Sequence, residues 1–148
     1  MTRIPYTSLT ATRAQSNGTE WPMFLLVNPS VSSRTVIITD ILSTFNANNI
    51  AVEGRVYLNP TITANGTVLS INSLHQINTV PSVCAAFYSP TIANNGTLLY
   101  LTSLFNSSSI LEERIGLILD SGNTFLVTVK PFATGLNSAV QMSWSETA

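Results

Sequence analysis

The sequence predicts an all-β fold, a jelly roll or β-sandwich of about eight or nine antiparallel strands. Short apolar or alternating runs are separated by turn residues, and no run sustains the 3.6-residue period of a helix. Only 9% of the residues are charged while 45% are hydrophobic. Ser, Thr and Asn therefore supply most of the polar surface, which suits sheets and tight turns better than helical bundles.

The alternation predicts the strands in order along the chain. The candidate strands are 23–27, 35–42, 51–58, 67–71, 83–88, 98–104, 114–119, 124–129 and 140–144. Most of the intervening segments contain the Asn, Gly or Pro that allows positive φ or fixes a turn. The clearest hairpin is 115–129, where 120–123 reverses the chain and Phe125, Val127 and Val129 share one face of the second strand.

The first twenty residues contain few core-forming side chains. We therefore expect 1–20 to be an extended N-terminal arm and 21–148 to be a single β-sandwich domain. Such an arm can add a strand to a neighbouring subunit. The candidate interface residues are Arg3, Ile4, Tyr6, Leu9, Arg13 and Trp21.

One internal repeat stands out. Residues 58–69 return as 88–99, and both copies run from a strand through Pro-Thr-Ile and Asn-Gly-Thr into another strand. The repeat predicts two similar strand–loop–strand units packed side by side, with two loops displayed at related places; convergent turn chemistry is the alternative. The candidate displayed residues are Asn59, Pro60, Asn65, Gly66, Pro90, Asn94, Asn95 and Gly96.

The charge distribution argues against a nucleic-acid partner. The net charge is −1 and the six basic residues are scattered, whereas nucleic-acid binding depends on basic clusters that neutralise phosphates. The near-neutral surface gives little repulsion between copies and favours self-association. The apolar stretches are too short to span a bilayer, and the N-terminus lacks the apolar core of a signal peptide. We expect synthesis in a cytoplasm and no membrane partner.

The sequence lacks the motifs and residue combinations of known catalytic and metal sites. His75 is the only histidine and Cys84 the only cysteine, so sites with several such ligands and intrachain disulfides are excluded. Glu112 and Glu113 are adjacent, and on a strand they would point to opposite faces. We expect a protein that is not an enzyme and that uses no cofactor or metal.

Three segments carry a resemblance to a known class of proteins. They are 12–22, the loop 59–67 with its echo at 89–97, and the turn 119–124. These segments resemble small structural proteins of tailed bacteriophages, some of which are jelly-roll capsid decoration (cement) proteins. The resemblance implies a homotrimer that binds the major capsid protein on the outer surface of the shell, at local three-fold positions, and stabilises it.

Two alternatives of other classes stay open. One is a tail-associated or fibre-like adhesin that binds a host glycan through the two Asn-Gly-Thr loops; an aromatic patch near those loops would favour it. The other is a carbohydrate-binding β-sandwich module separated from its enzyme.

Overall fold

The computed structural model describes residues 3–16, 18–45, 51–75, 79–104, 110–132 and 136–147. Within these ranges the chain forms β-strands and no helix, which confirms the all-β prediction, although the strands are more numerous than expected. The strands are β1 (Arg3–Leu9), β2 (Arg13–Gln15), β3 (Trp21–Val27), β4 (Thr35–Phe45), β5 (Val52–Leu58), β6 (Thr61–Ala64), β7 (Thr67–Val68), β8 (Asn72–Ser73), β9 (Ala85–Tyr88), β10 (Thr91–Asn94), β11 (Thr97–Leu104), β12 (Ile110–Leu119), β13 (Thr124–Pro131) and β14 (Leu136–Thr147).

Two antiparallel sheets form the sandwich. Sheet A has the order β12-β4-β14-β1-β8, with β2 also paired to β14, and sheet B has the order β11-β5-β13-β3-β9-β7. Within the described residues, strands β6 and β10 pair only with each other, in a small third sheet. Each of the predicted strands coincides with all or part of an observed one.

The main core lies between sheets A and B because the inward positions of both are apolar. Sheet A contributes Trp144, whose ring stacks on Tyr6 with centroids 6.1 Å apart. Strand β13 contributes Phe125, Val127 and Val129, each at most 2% exposed. The prediction that these three side chains share one face is confirmed, and the structure shows that this face is buried.

The structure corrects the prediction of a separate N-terminal arm. Strand β1 pairs with β14 over its whole length, from Arg3 opposite Thr147 to Leu9 opposite Gln141, and β2 pairs with β14 farther along. Residues 3–16 thus belong to the sandwich itself. The sequence pattern hid this strand because its inward positions are only partly apolar.

Hydroxyl side chains occupy two of the other buried positions of this segment. Ser8 is 1% exposed and donates a hydrogen bond to the carbonyl of Ser70 at 2.7 Å. Thr10 is 4% exposed and accepts one from the amide of Val140 at 2.9 Å. Such hydrogen bonds make it possible to bury polar side chains, so the strand shows no clean apolar alternation.

The predicted hairpin at 115–129 is wrong in its pairing. The chain does reverse at 120–123, where the amide of Asn123 donates to the carbonyl of Asp120. Strand β12, however, pairs with β4 in sheet A, while β13 pairs with β3 and β5 in sheet B. The turn therefore passes the chain from one sheet to the other.

Candidate functional site

The two repeated loops meet on the outer face of sheet B. We call residues 59–68 and 89–98 together the clasp. Strand β6 of the first copy pairs with β10 of the second, with Ile62 opposite Ile92. The end of each copy then joins the other: Thr67 lies opposite Tyr88, and Thr97 lies opposite Leu58. The expected side-by-side packing is thus replaced by an exchange of strands between the copies.

Four residues with positive φ make this exchange possible. Asn59 and Ser89, each followed by proline, have φ of 53°, while Gly66 and Gly96 have φ of 84° and 85°. A Cβ on Gly66 would overlap the carbonyl of Tyr88 and lie 2.7 Å from the carbonyl oxygen of Ser89. A Cβ on Gly96 would meet the equivalent carbonyls of the first copy in the same way. Only glycine fits at either position.

An approximate two-fold axis through sheet B relates the two copies of the clasp. Strands β5 and β9 lie on opposite sides of the central pair β13–β3, and β11 and β7 lie outside them. Tyr57 is opposite Leu126, and Phe87, its counterpart thirty residues later, is opposite Leu25. The repeat in the sequence is therefore also a repeat in space.

A second apolar cluster lies beneath the clasp. Leu25 and Leu126 are fully buried and Tyr57 is 6% exposed, although all three are on the face of sheet B that points away from the main core. Ile62 and Ile92 pack against them from above. The clasp thus closes the outer face of the central strands as a third layer.

Hydrogen bonds hold the start of the first copy. The amide of Asn59 donates to the carbonyl of Thr124 at 2.8 Å, and its side-chain Oδ1 accepts from the Thr124 amide at 2.9 Å. Its Nδ2 also donates to Oδ1 of Asn123 at 3.0 Å. The loop is therefore fixed where it leaves the sheet.

The second copy is held by residues of the N-terminal segment and of β3. The amide of Ser89 donates to the carbonyl of Met23 at 3.2 Å, and Nη1 of Arg13 donates to the Ser89 hydroxyl. The guanidinium of Arg13 lies 4.1 Å from the centroid of the half-buried Trp21 ring, in a cation–π contact. Arg13 and Trp21 thus support the clasp.

The other candidate interface residues lie elsewhere. Ile4 and Tyr6 are core residues, 7% and 1% exposed, so they are not available to another subunit. Arg3 and Leu9 are exposed on β1. Of the candidate displayed residues, Asn59, Asn65, Gly66, Asn94 and Gly96 are exposed, Pro60 and Asn95 are half-buried, and Pro90 is buried.

The exposed surface of the clasp is uncharged. No Asp, Glu, Lys or Arg occurs between Arg55 and Glu112. Val68 and Leu98, which are equivalent positions of the two copies, are 74% and 49% exposed. The other exposed residues of the clasp are mainly Thr, Ala, Asn and Gly. We call this exposed surface the clasp face.

A cluster of charged residues borders the clasp on the outer face of sheet B. Glu20 Oε1 accepts hydrogen bonds from the hydroxyls of Tyr57 and Thr128, both at 2.6 Å. Arg55 pairs with Glu53 at 2.8 Å and lies 3.7 Å from Glu20. Burial and the bond to the Glu20 carboxylate raise the pKa of Tyr57. These charges are paired among themselves and do not extend over the clasp.

Sequence reasoning missed a buried ion pair at the end of β14. Glu146 is fully buried and pairs with Arg34 at 2.9 Å. Its carboxylate also accepts from the Ser82 hydroxyl, the Val83 amide at 3.1 Å and Nε1 of Trp144 at 3.2 Å. Burial raises the pKa of this carboxyl, but the hydrogen bonds outweigh burial and the net pKa is lowered. The partners are far apart in sequence, so no local motif announces the pair.

The described residues show no cluster of metal-ligating side chains. They hold no group of three or more His, Cys, Asp or Glu side chains placed to bind a metal ion. Burial and the nearby Glu146 raise the pKa of the Cys84 thiol, which disfavours the reactive thiolate. In the part of the chain that the structure describes, no helix has the length and apolarity needed to cross a membrane.

Comparisons with known proteins found little. No protein-family model matches the chain, and no curated protein matches its sequence. Among solved structures, the infectious bursal disease virus VP2 subviral particle aligns over 99% of this chain and 42% of that chain, with 12% identity and a TM-score of 0.26. The T13 IBDV viral particle aligns over 99% and 39%, with 9% identity and a TM-score of 0.25. The chain thus spans about two fifths of each of these chains, and TM-scores of this size do not define a shared fold.

Proposed function

We propose that this chain is a non-enzymatic bacteriophage virion structural protein, a capsid decoration (cement) protein. In this role it binds the outer surface of the shell built by the major capsid protein and stabilises it, as a trimer. It is made in the host cytoplasm and resides on the capsid exterior. The observation that carries the proposal is the clasp face, an exposed, uncharged surface that is hydrogen-bonded to and packed on sheet B, with an aliphatic side chain at each end.

The composition of the clasp face suits contact with another protein. Charged residues are depleted at the centres of protein interfaces because their desolvation is costly. The clasp face carries none, and Val68 and Leu98 offer apolar area that remains in water in the isolated chain. A contact of this kind depends on shape and apolar burial and is only weakly sensitive to salt.

The basic residues give no support to a nucleic-acid partner. Arg34 and Arg55 are in ion pairs with carboxylates, and Arg13 lies over an aromatic ring. None of these three arginines belongs to a row of free cations that could follow a phosphate backbone.

The aromatic residues next to the loops do not favour the glycan-binding alternatives. Sugar platforms need exposed aromatic faces, whereas Tyr57 and Phe87 belong to the cluster that Ile62 and Ile92 cover. Tyr57 also uses its hydroxyl to bind Glu20. No observation on the described surface recommends an adhesin or a carbohydrate-binding module as a second proposal.

The first test is whether the protein occurs on phage particles. Tailed-phage particles are purified from cultures that carry the gene, and their proteins are identified by peptide mass spectrometry. We expect this chain among them, and we expect recombinant protein to sediment with emptied capsids at both low and high salt. Absence from purified particles, or sedimentation only at low salt, would overturn the proposal.

The second test concerns the binding surface and the trimer. The double variant Val68→Asp/Leu98→Asp places two charges on the clasp face, and Ile118→Asp, a change at a 61% exposed position on the outer face of sheet A, is the matched control. We expect the double variant to lose capsid binding while the control retains it. Analytical ultracentrifugation of the wild-type protein should give the mass of a trimer; monomer alone at micromolar concentration would rule out intrinsic trimerisation.

A further inference from the structure

Three Asn-Gly pairs occur in the chain, at 17–18, 65–66 and 95–96. An Asn-Gly pair can react without a catalyst. The glycine nitrogen loses its proton and attacks Cγ of the asparagine side chain, a C–N bond forms, and ammonia leaves. The resulting succinimide is then opened by water to give aspartate or isoaspartate. The rate depends on how readily the glycine N–H gives up its proton and reaches the side chain.

The structure treats the three glycine N–H groups differently. The Gly18 amide donates to the carbonyl of Pro131 at 2.7 Å, and the Gly96 amide donates to Oδ1 of Asn94 at 2.8 Å. The Gly66 amide has no hydrogen-bond acceptor among the described residues. An amide that donates to an oxygen is held in place, and the lone pairs of that oxygen disfavour the deprotonated nitrogen. By this criterion the Gly66 nitrogen is the least protected of the three.

The two copies of the clasp are a matched pair for this comparison. Gly66 and Gly96 have φ of 84° and 85° and face equivalent carbonyls of the opposite copy. Their difference lies two residues upstream of each glycine, where the second copy has Asn94 and the first has Ala64, which offers no side-chain acceptor. Asn65 is also exposed, whereas Asn95 is half-buried.

We propose that Asn65 is a site of spontaneous deamidation in the folded protein and that it reacts ahead of Asn95 and Asn17. The reaction consumes one water and releases one ammonia, and it leaves a carboxylate at position 65. It thereby adds a negative charge to a surface that otherwise has none. The chemistry itself does not depend on the proposed virion function.

The test is peptide mapping by mass spectrometry after incubation of the folded protein in mildly alkaline buffer. Each rate is divided by the rate of the same site in the denatured chain, which removes the effect of neighbouring residues. We expect the normalised rate at Asn65 to exceed that at Asn95 by about two- to tenfold, the factor that one neutral hydrogen bond supplies.

Two reciprocal variants isolate the cause. Asn94→Ala removes the acceptor and should raise the rate at Asn95 towards that of Asn65. Ala64→Asn installs an acceptor and should slow Asn65. Equal normalised rates in the wild-type protein, a faster rate at Asn95 or Asn17, or unchanged rates in both variants would overturn the proposal. All of these readouts are independent of capsid binding.

Discussion

Replacing Gly96 by alanine is the sharpest test of the interlocked clasp. The substitution acts through two separable effects. Alanine at φ of 85° is strained, which costs about 1–2 kcal/mol. The added Cβ also overlaps the carbonyl of Leu58 and lies 2.7 Å from that of Asn59. Because both contacts are with backbone, relief needs a shift of the whole loop, at about 1–3 kcal/mol by analogy with overpacked cores. The expected loss in free energy of unfolding is therefore about 2–5 kcal/mol.

A second glycine in the same chain provides the control. Gly122 has the same φ of 85°, but a Cβ there would meet only Ser30, at an ordinary 3.7 Å. Gly122→Ala should therefore lower the free energy of unfolding only by the cost of backbone strain. Both alanines also restrict the unfolded chain equally, so this effect cancels in the comparison. The difference between the variants measures the contact between the two copies of the clasp.

Urea unfolding followed by tryptophan fluorescence provides the assay. Gly66→Ala should destabilise the protein about as much as Gly96→Ala, since the two positions have equivalent contacts. The double variant Gly66→Ala/Gly96→Ala should lose less free energy of unfolding than the two single variants together, because the first substitution already loosens the contacts that the second would break. Equal losses for Gly96→Ala and Gly122→Ala would refute the interlocking of the loops.

Two further predictions concern the sandwich itself. Because the pKa of Glu146 is lowered in the folded state, the native protein binds fewer protons at this carboxyl than the unfolded chain does. The ionised carboxylate therefore stabilises the fold above the unfolded pKa of about 4.5, and this stabilisation is lost as pH falls through the folded pKa. In urea titrations at several pH values, Glu146→Gln should reduce the loss of stability at acid pH. At neutral pH it should lower the free energy of unfolding by about 3 kcal/mol, because it leaves the Arg34 charge without its partner. An unchanged dependence of stability on pH would contradict this role of Glu146. Deleting residues 2–16 should prevent folding, since β1 pairs with β14 along its whole length and contributes Ile4 and Tyr6 to the core. A truncated protein with native circular dichroism and a cooperative transition would show that β1 is dispensable.

The parts of the fold that the sequence predicted are those governed by local alternation. Strand β13 places Phe125, Val127 and Val129 inward as expected, because each inward position is apolar. Strand β1 was not predicted because the last of its inward residues is Ser8, a polar side chain that is buried by donating a hydrogen bond to the carbonyl of Ser70, distant in sequence. Turn chemistry located the reversal at 120–123 but could not choose the partners of the strands that follow, since these are fixed by pairing far along the chain.

The sequence predicted where the candidate site lies but not how its two loops are paired. The repeat indicated two related loops, and both are at the surface. Nothing in the sequence showed that each copy completes the other, because this depends on the pairing of Thr67 with Tyr88 and of Thr97 with Leu58. The support given by Arg13 and Trp21 was equally hidden, since both residues were assigned to an interface with another subunit.

The contacts that hold the clasp on sheet B affect how it can bind a partner. Loops rich in Asn, Gly and Pro are usually mobile and lose conformational entropy when they bind. Here the same residue types have the opposite effect: Asn59 is tied to the sheet on one side, and Gly66 lets the backbone lie against the opposite copy. An exposed surface that is already ordered binds a partner with a smaller loss of entropy. The turn residues of the repeat thus build a preorganised face, and its lack of charge suits a permanent, salt-insensitive contact better than a transient electrostatic one.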